Sequence, residues 1–140
     1  MKISTKGRYA LRLMVDIASR QADLPVSLKE VATRQNISIK YLEQIVNRLC
    51  RAGLLESVRG PQGGYLLTRR PEEYTAGDIL RVTEGSLAPV ACLVGEHNEC
   101  PRRDGCPTLP FWTGLRDIID QYIDSVTLKQ LTAGALPKMQ

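Results

Sequence analysis

Three cysteines stand close together in the second half of this 140-residue chain. Their spacing, Cys92-x₇-Cys100-x₅-Cys106, falls in a stretch that is interrupted by glycine and proline and crowded with charged residues toward its end. Such a stretch buries little apolar surface, so something other than a hydrophobic core has to order it. Thiolates are preferred ligands of iron–sulfur clusters and of soft metal ions. The spacing therefore predicts a metal centre held by these three residues.

The sequence leaves the fourth ligand of such a centre open. His97, the only histidine, lies in the loop between the first two cysteines and can serve either as a ligand or as a solvated side chain. Glu96, Glu99 and Asp104 are weaker oxygen candidates. The one cysteine outside this stretch, Cys50, lies at the edge of an apolar stripe and is expected to be a small core residue.

Two other chemistries remain open for the cysteines. A structural zinc site could combine them with His97, although the short C-x₂-C pairs typical of such sites are absent from this stretch. A metal-free thiol switch is favoured by Arg102 and Arg103, because neighbouring positive charge lowers the pKa of a thiol. An enzyme is not expected, because no phosphate cradle, oxyanion loop or substrate pocket accompanies the cysteines.

The charge distribution predicts a polyanionic partner for the first half of the chain. Residues 1–70 contain 13 Lys/Arg and five Asp/Glu, a net charge of +8, whereas residues 71–140 contain six and ten, a net charge of −4. No run approaches the ~20 apolar residues of a membrane span, and the first residues lack a signal-peptide core. We therefore expect a cytoplasmic protein with no membrane partner.

Apolar periodicity and turn signals predict three helices in the basic half. The first helix follows Ser4-Thr5 and runs to about Ser19. After a break over 21–25, a capping box formed by Ser27 and Glu30 opens a short second helix. Beyond a tight turn, Ser38 caps a third helix whose buried stripe is Leu42, Ile45, Val46 and Leu49. Two short helices joined by a tight turn are a helix-turn-helix candidate.

A β-hairpin is predicted directly after the third helix. Two β-prone runs, 54–58 and 65–68, flank a turn rich in glycine and proline. A hairpin in this position is a wing, so residues 1–84 predict a winged helix-turn-helix DNA-binding domain, mainly α with a small β-wing. Within it, Thr75 and Asp78 resemble a second capping box that opens a short fourth helix.

The acidic half is predicted to contain a loop, a long helix and a tail. The cysteine-containing, cluster-binding loop occupies 85–107, the helix 108–131 and the tail 132–140. The apolar seam of the helix steps by three and four residues, at Trp112, Leu115, Ile119, Tyr122 and Val126. The seam can pack on its own domain or on a second copy. We favour a homodimer through this dimerisation helix, because two recognition helices and two wings would match a palindromic operator.

The polar side of the third helix suits the major groove of double-stranded DNA. The residues predicted to contact DNA are Ser38, Lys40, Tyr41, Glu43, Gln44, Arg48 and Arg51, with Arg59 and Gly60 of the wing. Lysine and arginine match phosphates, and the amide of Gln44 matches adenine. Glu43 would be repelled by phosphates unless it meets the amino group of cytosine, so it is a base reader, a residue that rejects wrong sites, or a plain surface residue. Arg59 is placed to enter a narrow minor groove.

Several strings together resemble one family. They are Ser4-Thr5-Lys6-Gly7-Arg8-Tyr9-Ala10, Tyr41-Leu42-Glu43-Gln44 and Val58-Arg59-Gly60-Pro61-Gln62-Gly63-Gly64-Tyr65-Leu66-Leu67. With three cysteines downstream, the chain resembles the Rrf-type winged-helix regulators from its first residue to about Leu131, and is most similar to their IscR iron–sulfur branch.

The resemblance implies a homodimeric transcription factor with an iron–sulfur cluster, 2Fe–2S favoured over 4Fe–4S, on its three cysteines. The state of the cluster would alter binding to promoters of iron–sulfur assembly genes, with no small-molecule substrate. Nitric-oxide sensors form a sister branch. The resemblance also supports Glu43 as a base reader and Arg59 as a minor-groove contact.

The chain departs from the family pattern at the fourth ligand. Leu109 stands where IscR-like members have a histidine, and Arg8 stands near the place where other relatives have an acidic residue. The spacing between Cys92 and Cys100 is also longer than is usual in the family. The fourth ligand therefore has to come from another residue, for which His97 is the candidate.

Overall fold

The computed structural model describes residues 2–20 and 22–138. Its helices and strands are α1 (Thr5–Ala18), α2 (Leu28–Gln35), α3 (Ile39–Arg51), β1 (Leu55–Val58), β2 (Gly64–Leu67), α4 (Ala76–Glu84), α5 (Leu109–Ser125) and α6 (Leu128–Ala133). The strands form one antiparallel sheet. The mostly helical fold with a small wing confirms the predicted architecture. Within the described ranges, no helix combines the length and apolarity needed to cross a bilayer.

The first three helices pack around a shared apolar core, as predicted. The side chains of Leu13 and Met14 from α1 and the predicted stripe of α3 are fully buried. Each buried aliphatic side chain contributes roughly 1.5–3 kcal/mol of hydrophobic free energy. Asn36 ends α2 in the left-handed conformation, with φ of 53°, and the Ser38 hydroxyl caps α3 by accepting from the Tyr41 N–H at 3.1 Å. The helix-turn-helix is therefore formed by the residues predicted to form it.

A buried carboxylate ties α1 to α2. Asp16 is 4% exposed, and it accepts from Arg34 Nη2 at 2.7 Å and from Gln35 Nε2 at 2.8 Å. Burial by itself raises the pKa of Asp16, but these hydrogen bonds and the charge of Arg34 outweigh it, so the net pKa lies below the ordinary value. The ionised carboxylate thereby holds α2 against α1.

The predicted capping box at Ser27 is wrong in its hydrogen bonds. The second helix does begin after Ser27, but among the described residues its hydroxyl caps no N–H of that helix. The Glu30 carboxylate instead lies 3.7 Å from Arg34, one turn further along. The residue before Ser27, Val26, pairs with Tyr65 of β2 through two hydrogen bonds of 2.9 Å. The chain therefore enters α2 from the edge of the sheet, and that pairing decides the direction of Ser27.

The predicted helix over 108–131 is also wrong, because two helices occupy this range. Val126, placed in the seam by the sequence, is 3% exposed, and its carbonyl accepts from the Ala76 N–H at 2.8 Å. The N–H of Leu128 donates to the Tyr74 carbonyl at 3.0 Å. These contacts end α5 and turn α6 back onto α1. The last helix thus completes the first domain.

The predicted tail begins inside α6, which runs to Ala133, and its last two residues, 139 and 140, lie outside the described part. Met1 and Gln21, which belong to the predicted start of the domain and to the first break, also lie outside it.

Tyr74 joins the wing to the core. Its side chain is fully buried, and its hydroxyl donates to the Leu54 carbonyl at 2.8 Å. The same hydroxyl accepts from the N–H of Thr68 at 2.8 Å and from the N–H of Arg69 at 3.1 Å. Leu54 precedes β1 and Thr68 follows β2, so one hydroxyl fixes both ends of the hairpin.

We expect Tyr74→Phe to lower the free energy of unfolding by about 1–3 kcal/mol, because it removes the partner of three backbone groups at the base of the wing. Urea denaturation followed by circular dichroism measures the change. Tyr65→Phe, on the same hairpin, is the matched control, since the Tyr65 hydroxyl forms no hydrogen bond with the described residues. Equal stability of the two variants would contradict the role of Tyr74.

Candidate functional site

The solvent side of α3 carries the helix residues predicted to contact DNA. Because the apolar stripe faces the core, the polar side chains of this helix point outward. Those exposed are Ser38, Lys40, Glu43, Gln44, Arg48 and Arg51, while Tyr41 is half-buried. The structure thus gathers the predicted residues on one surface, which carries three basic side chains.

Tyr41 rests on α1. Its ring meets the ring of Tyr9 edge to face, with the centroids 5.6 Å apart and the planes at 82°. The guanidinium of Arg12 lies over the Tyr9 ring at 5.2 Å. This stack supports the start of α3. Arg12 also donates to the Gln35 side chain of α2 at 3.1 Å, and sequence reasoning missed it because only packing brings it to these partners.

Arg48 has a partner within the chain. Its Nη1 donates to the carbonyl of Thr83, in the last turn of α4, at 3.2 Å. The sequence predicted Arg48 only as a phosphate contact. The structure adds an anchoring bond between the recognition helix and α4, made by one of the five N–H groups of the guanidinium.

The wing presents Arg59 at its exposed tip. The turn closes through a hydrogen bond of 2.9 Å from the Gly63 N–H to the Gly60 carbonyl. Gly60 has φ of 111°, a conformation that favours glycine. A Cβ at Gly63 would lie 2.0 Å from the Val58 carbonyl oxygen. The glycines therefore make a turn tight enough to project the arginine.

Glu43 is exposed on α3. Burial raises the pKa of the Tyr65 hydroxyl on β2, with smaller contributions to the rise from Cys50 and Glu43. The Glu43 carboxylate is therefore available to solvent on the outward side of α3.

The cysteine segment, residues 85–107, contains one short 3₁₀ turn, at Ala91–Leu93, and none of its residues is buried. Cys92 and Cys100 line one cleft together with His97. This arrangement agrees with the expectation that packing does not order the segment. The exposed His97 side chain is close enough to share a cleft with two of the predicted ligands.

Cys106 lies at the other end of the segment and does not line that cleft. Its Sγ is 3.3 Å from the Thr108 hydroxyl. Hydrogen bonds from the side chain and N–H of Thr108, and from the N–H of Leu109, lower the pKa of Cys106. Within residues 2–20 and 22–138, no three His, Cys, Asp or Glu side chains converge on a common metal position.

The donor set fits an iron–sulfur cluster by its chemistry. All four cysteines are free and half-buried. Burial raises the pKa of Cys50, which lies on the core side of α3 as predicted. The three thiols of the cysteine segment are the ligand type that such clusters use. Holding a cluster would require the segment to close around it, which its lack of packed residues permits.

The comparisons with known proteins agree with this architecture. Residues 3–134 match the family described as Rrf2, iron-dependent transcriptional regulator. The chain is 44% identical over 133 residues to the HTH-type transcriptional regulator CymR of Bacillus subtilis. The alignment covers 95% of this chain and 91% of CymR. The chain is 38% identical over 131 residues to the regulator IscR of Pectobacterium atrosepticum. That alignment covers 94% of this chain and 79% of IscR.

Solved structures give the same result. CymR, described as the global cysteine regulator of B. subtilis, superposes with a TM-score of 0.78 at 43% identity, over 96% of this chain and 98% of CymR. IscR of T. potens superposes with a TM-score of 0.77 at 39% identity, over 100% of this chain and 93% of that chain. The sequence identity and the TM-score are both slightly higher for CymR than for IscR. The comparisons therefore do not single out the iron–sulfur branch. These relatives are regulators and not enzymes. The chain belongs to the Rrf2 family of DNA-binding transcriptional regulators.

Proposed function

We propose that the chain is a homodimeric transcriptional repressor or activator whose affinity for its operator depends on an iron–sulfur cluster held by Cys92, Cys100 and Cys106. The observation that carries the proposal is the pairing of two features in one chain. An exposed recognition surface lies on a rigid core, and a segment with three free thiols and no buried residue follows it directly.

The proposed DNA contacts divide by chemistry. Lys40, Arg48 and Arg51 neutralise phosphates, and Ser38 and Tyr41 donate to phosphate at the start of α3. Gln44 reads adenine and Glu43 reads cytosine from the major groove. Arg59 enters the minor groove, with the backbone of Gly60 beside it. Except for Tyr41, which is half-buried, these side chains are exposed on α3 and at the wing tip, and this exposure supports the assignment.

The proposed cluster is held by the three cysteines of the cysteine segment, with His97 as the candidate fourth ligand. When bound, the cluster supplies a labile redox centre. The residues of the chain supply the thiolates and the flexible backbone that closes around it. Because no residue of 85–107 is fully buried, binding would give the segment more order than packing provides. The 2Fe–2S form and control of iron–sulfur assembly genes follow from the likeness to IscR.

A thiol switch that controls cysteine metabolism is the second candidate. The 44% identity to CymR, a regulator described as the global cysteine regulator of B. subtilis, favours it. In this case two thiols of the cysteine segment would respond by oxidation. A zinc site with His97 and a nitric-oxide sensor are the remaining alternatives, and metal analysis separates them from the thiol switch.

We expect protein purified without oxygen to absorb at roughly 400–460 nm, the region of thiolate-bound iron–sulfur centres, and to contain matching iron and sulfide. Cys92→Ala, Cys100→Ala and Cys106→Ala should each weaken the absorption, whereas Cys50→Ala, the matched control, should keep it. A colourless protein with zinc would establish the structural-metal alternative. A colourless, metal-free protein after reconstitution would leave the thiol switch.

We expect Glu43→Ala to relax the preference for C·G at one operator position, a loss of about 1–3 kcal/mol of discrimination. Arg51→Ala should weaken binding to all DNA sequences alike. It should also reduce the slope of log affinity against log salt concentration by about one. Fluorescence anisotropy on duplexes selected from a random library measures both effects. Glu56→Ala, an exposed carboxylate on β1, is the control. Unchanged preference in Glu43→Ala would show that Glu43 reads no base.

The proposed dimer rests on the uncovered apolar face of α5. None of the 17 residues of this helix is buried, and Phe111 and Ile118 are 65% and 57% exposed. An apolar groove continues this face toward α4. The groove is lined by Ile3, Leu80, Leu87, Ile118, Ile119, Tyr122 and Ile123. We assign a second copy as its occupant, because the seam from Trp112 to Tyr122 has the spacing at which two like helices pair.

We expect Ile118→Asp to convert the dimer to a monomer in sedimentation equilibrium and to weaken operator binding. The substituted side chain is exposed in the single chain, so the variant should fold. Leu24→Asp makes the same apolar-to-acidic change at a residue of nearly equal exposure, 56%, that lies outside α5, and it should remain dimeric. A wild-type protein that sediments as a monomer, or an Ile118→Asp variant that stays dimeric, would contradict the proposed interface.

A further inference from the structure

The last turn of α4 lies where other helices and the cysteine segment meet. Arg81 donates to Asp124 at 2.7 Å and to Asp120 at 3.3 Å, both on α5. Gly85 follows the turn with φ of 73°, a conformation that favours glycine, and begins the cysteine segment. A change in the path of that segment therefore reaches this turn directly through the backbone.

Glu84, the last residue of α4, fixes the start of α1. Its Oε1 accepts from the Ser4 N–H at 3.1 Å and from the Ser4 hydroxyl at 2.5 Å. That hydroxyl in turn accepts from the Gly7 N–H at 3.2 Å. The first turn of α1 has no acidic residue, so Glu84 supplies the negative charge that a helix N-terminus favours. A Cβ at Gly7 would lie 2.2 Å from Glu84 Oε1.

Thr83, the residue before Glu84, holds the recognition helix. Its carbonyl accepts from Arg48 Nη1 at 3.2 Å. The last carbonyls of a helix have no partner within the helix, and a cation is favoured at that negative end. Arg48 is one helical turn from Gln44, which faces the same side of α3. The bond therefore fixes the DNA-reading surface relative to α4.

We propose that the last turn of α4 couples the cysteine segment to DNA reading, with Glu84 and Arg48 as positioning residues. Thr83 and Glu84 are consecutive residues of one turn, so a displacement that starts at Gly85 moves the anchors of α3 and α1 together. Gly7 takes part because it leaves room for the Glu84 carboxylate. The inference relies on the proposed function for the nature of the signal, whereas the junction relies on contacts within the chain.

The test measures how strongly the cysteine segment changes operator affinity. Fluorescence anisotropy without oxygen gives Kd for protein reconstituted with iron and sulfide and for metal-free, reduced protein, and the ratio of the two is the coupling. We expect Gly7→Ala and Glu84→Ala each to reduce the ratio of the two Kd values about fivefold or more, toward one. The visible absorption should not be lost. Glu56→Ala removes an exposed carboxylate of β1 that lies outside the junction and outside α5, and it should keep the wild-type ratio.

Two further variants separate positioning from general destabilisation. Glu84→Gln retains an acceptor oxygen for Ser4 and should restore part of the coupling. Gly7→Ala combined with Glu84→Ala should change the ratio no further than Glu84→Ala alone, because both act through one contact. An unchanged ratio in Gly7→Ala and Glu84→Ala would overturn the proposal.

A wild-type ratio of one would count against the proposed function, and hydrogen exchange of the metal-free protein then decides on the junction. Glu84→Ala should speed amide exchange in the first turn of α1 and in the last turn of α3 together, relative to Glu56→Ala. Faster exchange confined to α1 would overturn the junction.

Discussion

The burial of one stripe of α3 against α1 is the constraint on which the rest of the molecule depends. Leu42, Ile45, Val46 and Leu49 are fully buried, and at 3.6 residues per turn this leaves only one face of the helix for solvent. That face carries the basic and amide side chains that we propose contact DNA. The ionised Asp16 holds α2 against α1, so the helix-turn-helix is formed by contacts within the single chain.

The wing and the final helix are attached to this core by polar contacts between distant parts of the chain. The Tyr74 hydroxyl bonds both ends of the hairpin, and its carbonyl receives the N–H of Leu128. Buried hydrogen bonds of this kind add modest free energy when formed and cost more when one partner is lost. They therefore specify where the wing stands, while apolar burial supplies most of the stability.

The cysteine segment contrasts with this core, because it has no buried residue and little regular structure. Regions with few packed contacts reorganise at low free-energy cost, which is what a sensing element requires. Its neighbour, the last turn of α4, is bonded to α1, α3 and α5. The cysteine segment has few packed contacts and is joined to a turn with several hydrogen bonds. In the proposed mechanism, this turn passes a change in the segment to the recognition helix.

Local chemistry in the sequence determined the first four helices, the caps at Ser38 and Thr75, the tight turn before α3, the hairpin and the family. Hydrophobic period and turn residues act within a few positions. It also placed the candidate DNA contacts on one face of α3. Only the tertiary structure decided the break at Val126 and the failure of the Ser27 hydroxyl to cap α2. It also decided the hydrogen bonds from Arg48 to Thr83 and from Ser4 to Glu84. The last two pairs are separated by 35 and 80 positions, and no local pattern encodes a contact that exists only after the helices have packed.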